Sequence, residues 1–246
     1  MSPAARAGTV RTMVRPHTVH ASPDAPRADL PPAARRWLGH AVRPGSERFR
    51  HADLLMHGEI RIGRWRPFGA RQILDPGMAF TWAATAGRGP LAIRGWDRYA
   101  DGAGAMRWAV LGVPVMRASG PDVTRSAAGR LAGETILSPA FALDPAVSWA
   151  PGGDDGHAVF RVRVGPWEHE VTVAVDGGGG LVAVEMPRWG DPRGEGFGMH
   201  RFHVGCEGGV THMGITVPRV LCAGWRDPDG TLREFFHATI DAATFR

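Results

Sequence analysis

Apolar and polar residues alternate with a period of two along most of this chain. After Phe49, Leu54, Met56, Gly58, Ile60 and Ile62 fall on one side, and Leu55, His57, Glu59 and Arg61 on the other. That period marks an antiparallel strand with one wetted face. Residues 78–84 and 91–96 read as a second and a third strand. Asp101-Gly102 tolerates positive φ and closes a hairpin-type turn after Tyr99. Residues 106–115 continue as a strand, with Gly112 and Pro114 indicating an edge or a bulge. The second half is nearly all alternating: 159–164, 171–175, 181–186, 200–206, 210–217, 220–225 and 232–240.

The period lengthens in only two places. Pro31-Pro32 opens a short helix over 33–42, prolines being suited to a first turn. Ser119-Gly120-Pro121-Asp122 opens a longer one, with Asp122 as N-cap and Pro139 as its stop. At about 100° per residue, Val123, Ala127, Arg130, Glu134 and Leu137 share a stripe, while Arg125 and Ile136 face away. The expected fold is mainly β (α+β): a curved antiparallel sheet or partial barrel of about ten strands around a central helix, plus a short N-terminal helix. Residues 30–246 are expected to form a single β-rich domain behind a disordered basic tail, residues 1–29.

Charge supports that division. The chain has a net charge of +5 and no lysine, and its 29 basic residues are all arginine. Residues 1–50 hold nine arginines against Asp24, Asp29 and Glu47, so the excess belongs to the amino-terminal arm and the body is close to neutral. Abundant Ala, Gly and Pro point to codon bias as the source of the arginines. The arm lacks the interleaved aromatics of a nucleic-acid surface, so no nucleic-acid partner is expected. The first 30 residues contain no apolar run of the kind a signal peptide needs, and no stretch approaches a transmembrane span. Cys206 and Cys222 fit no metal or redox spacing and read as free thiols, which together with the missing signal leads to an expected cytoplasmic location.

Motif chemistry is sparse. The run Gly177–Gly180 joins two strands and leads into no helix, and Gly194, Gly196 and Gly198 fail as a dinucleotide fingerprint, so both read as turns. His203 and His212 flank Glu207-Gly208, and a two-residue turn there would set them opposite each other as the start of a metal site. A third ligand is not evident, so no metal and no cofactor are expected. No nucleophile elbow or catalytic triad is present.

What remains is the helix. Arg130 reaches Glu134 at i,i+4 on its apolar stripe. A pair so placed either tethers helix to sheet or forms the polar end of a pocket. Tyr99, Trp108 and Trp149, among six aromatic residues near the helix, are candidates to line that pocket, and Arg188 in Met186-Pro187-Arg188-Trp189-Gly190 is a candidate for its rim.

The run Asp97-x-Tyr99-x-Asp101-Gly102-x-Gly104-x-Met106-x-Trp108, followed by Ser119-Gly120-Pro121-Asp122, Ser126, Gly129-Arg130-Leu131, Glu134 and Pro139, resembles an uncharacterised bacterial family. Val217-Pro218, Val220 and Gly224-Trp225 resemble its closing motif. The resemblance spans about residues 30–245 and brings no activity with it. Its order of strands and helices is similar to the lipoprotein-carrier fold of LolA and LolB, which implies a curved sheet holding acyl chains against helices. The chain departs from those carriers in showing no export signal and no lipidation cysteine.

Two readings follow. The first is a binding protein that holds an apolar or amphiphilic small molecule in the sheet's concavity, with Arg130 at the polar end. The second is an enzyme in the same cavity, with Glu134 as general acid or base and Arg130 stabilising developing charge. A scaffold that binds a protein partner through exposed Trp rows is a third.

Overall fold

A computed structural model of the protein describes residues 29–246. The basic tail expected over residues 1–29 lies outside these, apart from Asp29. Among the described residues the chain forms a short helix α1 (Pro32–Ala41) and then six strands: β1 (Ala52–Ile62), β2 (Arg64–Asp75), β3 (Ala79–Ala86), β4 (Ile93–Ala100), β5 (Ala103–Val110) and β6 (Val113–Ser119). Helix α2 (Pro121–Gly133) follows and tightens into 3-10 turns at Glu134–Leu137 and Pro139–Leu143. Seven more strands complete the chain: β7 (Ser148–Pro151), β8 (His157–Val164), β9 (Trp167–Val175), β10 (Leu181–Gly190), β11 (Gly198–His212), β12 (Ile215–Arg226) and β13 (Leu232–Phe245).

These are two antiparallel meanders, one on each side of α2 in sequence. The last strand joins them: β13 pairs with β1, giving one thirteen-stranded sheet in the order β6-β5-β4-β3-β2-β1-β13-β12-β11-β10-β9-β8-β7. The sheet is curved and open, and its concave face carries the alternate residues that the period-two pattern assigns to a core. Leu54, Leu74, Phe160 and Ile240 are fully buried there, and Ala128 and Leu131 of α2 are buried against them. Helix α2 lies across the concavity, resting on β5 on one side and β10 on the other. Helix α1 buries Trp37 and Leu38 against β8 and β9 farther along.

The expected mainly-β class, the central helix and the short N-terminal helix are present. Several boundaries differ, each for a local reason. Residues 106–115 are not one strand: Leu111 and Gly112 both take positive φ (51° and 79°) and turn the chain from β5 into β6. Strand β6 is the sheet edge that Gly112 and Pro114 indicated, with a register shift between Trp108 and Ala109. Residues 200–206 and 210–217 are not separate strands joined by a loop. Strand β11 continues through Glu207 and Gly209, which pair with Val220 and Pro218, and the turn comes at Met213-Gly214. The ladder with β12 carries the strand across glycines that local propensity would have broken. A two-residue turn at Glu207-Gly208 is thereby excluded, and His203 faces Gly224 while His212 faces Ile215.

Gly120, not Asp122, occupies the N-cap position of α2, with Pro121 in the first turn. Asp122 sits inside that turn, where a carboxylate also suits the helix dipole, and it accepts a hydrogen bond from Trp189 Nε1 at 2.9 Å. Gly104 on β5 lets the helix approach the sheet. A Cβ there would lie 2.7 Å from Thr124 Cα, a distance that backbone atoms cannot accommodate. Its N–H donates to Thr124 Oγ1 at 3.0 Å.

Candidate functional site

Helix α2 does not fill the concavity. Between it and the sheet lies a cavity of about 400 Å³. The apolar stripe of α2 forms one wall, with Val123, Ala127, Arg130, Glu134 and Leu137 all lining the space. Ile136, expected on the opposite side, lines it too, because the 3-10 turn after Gly133 rotates the chain relative to an α-helix. The facing wall comes from alternate residues of the central strands, among them Met56 (β1), Leu221 and Trp225 (β12), and Phe235 and Phe236 (β13). A register shift between Ala223 and Gly224 in the β12–β13 ladder explains why two consecutive phenylalanines reach the same space. Apolar side chains dominate the lining.

One end is polar. Arg130 Nε donates to Glu134 Oε1 at 2.7 Å, and Arg130 Nη1 lies 3.3 Å from Asp97 Oδ2. Gln72, fully buried on β2, donates from Nε2 to Glu134 Oε2 at 2.7 Å. Trp108 Nε1 donates to Asp97 Oδ1 at 2.9 Å. The cross-strand pairs Gln72–Trp82 and Trp82–Asp97 put these groups on one face. The Arg130 guanidinium also lies over the Phe80 ring, 4.6 Å from its centroid. Every polar atom of the Glu134 carboxylate and of Asp97 is therefore claimed by a neighbour from another element or turn.

Burial shapes the charges. It pushes the Asp97 carboxyl above its ordinary range, against the pull of Arg130 and the Trp108 indole. Burial alone would lower Arg130, but Glu134 and Asp97 outweigh it and the guanidinium is held above its ordinary value. Arg188, on β10, enters from the other side and differs. Burial, and then the like charge of Arg130, bring it down to about 10. Beside it on β9, His169 is pushed down to about 4 by burial and by Arg125 and Arg188, and its Nε2 is buried with no hydrogen-bond partner.

The expected site residues separate into two groups. Arg130, Glu134 and Arg188 line the cavity, and Trp108 stands just behind it as the donor that holds Asp97. Tyr99 and Trp149 do not line it. Tyr99 is fully buried in the core, where it pairs with Phe80 and Gly104 across the sheet. Trp149 packs edge-on to Trp37 and against Phe160 under α1, and donates to the Ala142 carbonyl. Two polar members, Gln72 and Asp97, carried no local signal as site residues, because nothing near either one in sequence pairs with it.

His203 is held by Glu185 and Arg226 on the outer face, away from His212. A different set of metal-ligand types does converge: Cys222, Glu234 and His237 bring donor atoms within 4.8 Å of one another. The β12–β13 register creates it, placing Cys222 opposite His237, and the same bulge returns Glu234 to that side. Their thiol is not primed as a ligand, since burial and the carboxylates of Glu234 and Glu207 push Cys222 upward. Cys206 is pushed up to about 12 by burial.

No helix among the described residues is long and apolar enough to cross a membrane. Residues 21–238 match DUF6544, described as a family of unknown function. No curated protein matches the sequence. Two solved structures align with most of the chain at low identity. One is a Vibrio parahaemolyticus domain assigned to outer membrane lipoprotein sorting, with 7% identity, a TM-score of 0.43, and coverage of 80% of this chain and 85% of that one. The other is a LolA superfamily protein from Nitrosomonas europaea, with 6% identity, a TM-score of 0.46, and coverage of 87% and 92%.

Proposed function

The chain belongs to DUF6544, a family of unknown function, so its role has to be read from the cavity, and we propose that it binds an apolar or amphiphilic small molecule there. The observation that carries this reading is the space itself. A sheet and a helix with this many complementary apolar residues could close on each other, yet about 400 Å³ stays open between them. Voids of that size are rare in packed interiors and typical of small-molecule sites. The walls suit an apolar body, and the cluster at one end suits a polar group.

Acid–base catalysis by Glu134 is less well supported. Both of its oxygens already accept hydrogen bonds, from Arg130 and from Gln72, so the carboxylate is engaged within the protein before any substrate arrives. The arrangement is that of a fixed support for Arg130.

Native mass spectrometry of the protein purified from its own host tests the binding reading. A bound mass that is released on denaturation is the expected result. A bare spectrum, together with no fluorescence gain from the uncharged apolar probe N-phenylnaphthylamine, would sink it.

A further inference from the structure

Three arginines line the cavity; Arg98 is exposed and lies over the Trp96 ring, and of the other two only Arg130 is neutralised. Arg130 makes ion pairs with Glu134 and Asp97, whose field reaches Arg188 only from beyond ion-pair distance. Arg188 forms no ion pair with any described residue. Its guanidinium lies over the rings of Phe202 and Trp225, 4.7 and 5.3 Å from their centroids. Its Nε is shut off from solvent and has no partner, and Nη2 meets only the Ser126 carbonyl, at 3.5 Å. That last contact is at the outer limit of a hydrogen bond.

A desolvated cation without a counter-ion is costly, and proteins pair such groups or neutralise them. A guanidinium brought down to about 10 is still charged at neutral pH. The aromatic faces fix its plane and satisfy part of its field. They cannot supply an acceptor in that plane, where its N–H groups point. The missing partner is an anion, and the cavity that Arg188 lines has room for one.

Resting on the binding reading above, we propose that the ligand ends in a single carboxylate and that Arg188 takes it, the apolar body lying along Leu221, Phe235 and Phe236. The planar fork of a guanidinium matches a carboxylate in two parallel hydrogen bonds. The charge is limited to one because the three arginines of the lining are already equalled in number by its carboxylates, Asp97, Glu134 and Asp191. Their field opposes a doubly charged head such as a phosphate monoester. Arg130 is the positioning residue: it holds both protein carboxylates in ion pairs of its own, beyond ion-pair distance of Arg188.

The test is displacement of N-phenylnaphthylamine by four ligands sharing one chain: dodecanoate, dodecanol, dodecyl phosphate and dodecyltrimethylammonium. Dodecanoate is expected to bind about tenfold or more tighter than dodecanol, the difference a charge-assisted hydrogen bond makes. The phosphate should fall behind the carboxylate. Arg188→Gln should collapse the dodecanoate-to-dodecanol ratio towards one, and Arg188→Lys should keep part of it. Near-ultraviolet circular dichroism of each variant shows whether the fold is retained. Equal affinities for dodecanoate and dodecanol in the native protein would overturn the carboxylate assignment while leaving apolar binding intact. A ratio unchanged in a folded Arg188→Gln protein would overturn the role of Arg188. If the probe itself gains no fluorescence, the binding reading fails and this inference with it.

Discussion

Arg130 and Arg188 reach one cavity from opposite walls, α2 and β10, and only Arg130 has carboxylates to meet it. The difference comes from where each sits. Arg130 is one helical turn from Glu134 and faces Asp97 across the gap to β4. Arg188 faces aromatic rings of β11 and β12 instead. An empty site thus holds one paired and one unpaired cation side by side. That arrangement costs stability and favours an incoming anion.

Removing the unpaired charge should stabilise the empty protein. Arg188→Met keeps an apolar stem against Phe202 and Trp225 and deletes the desolvated guanidinium. A gain of about 1–2 kcal/mol is expected, in line with other sites where function and stability conflict. Differential scanning calorimetry without ligand would register it as a higher midpoint, by roughly 2–6 °C. A lowered midpoint would mean that Arg188 already has adequate partners in the protein.

Glu134 should behave in the opposite way. Glu134→Ala strands both the Arg130 Nε and the buried Gln72 amide, and a loss of about 3 kcal/mol is expected. Glu134→Gln keeps one acceptor oxygen and should cost clearly less. Urea unfolding followed by tryptophan fluorescence separates the two. If the alanine variant loses under about 1 kcal/mol, the pair is no tether.

His169 should give the fold an acid-side weakness. Its folded-state value is depressed to about 4 from the ordinary 6.5, so the native protein refuses a proton that the unfolded chain accepts. The stability this neutral imidazole contributes is fully present above about pH 6.5 and is lost as pH falls towards 4. After discounting for its partial exposure, the loss is on the order of 2 kcal/mol. Thermal midpoints of the native protein and of His169→Phe, compared between pH 7 and pH 4, test this. The variant should lack that part of the slope, and parallel curves would show that other groups cause it.

Much of the architecture was legible in the chain. Period-two alternation marked most strands, Asp101-Gly102 marked its hairpin, and the stripe Val123–Ala127–Arg130–Glu134–Leu137 marked the face that lines the cavity. These signals are local: each depends on residues within a turn or a strand of one another. The errors were local too. Strand β2 was missed where Pro67 and Gly69 interrupt the alternation, although β1 holds both in register and β3 holds Gly69 as well. The glycines of β11 were read as a break that β12 does not allow.

The site was only half legible. Arg130 and Glu134 are four residues apart, so helix geometry alone joins them. Gln72, Asp97 and Arg188 come from strands far apart in the chain, and nothing in their own neighbourhoods indicates that they meet. Tyr99 and Trp149 looked equally suitable as lining residues, since an indole or phenol in an alternating strand has the same sequence signature in a packed core as at a cavity wall.

The sequence by itself determined the secondary structure period, the turn chemistry and the helix stripe, because these follow from covalent geometry and near-neighbour spacing. Only the tertiary structure decided that β13 would close onto β1, that the helix would stop short of filling the sheet, and which arginine would be left without an ion pair. Those outcomes depend on how charges and volumes from distant segments add up in one place. Two carboxylates face one guanidinium across the gap, and a second guanidinium is left with two aromatic rings.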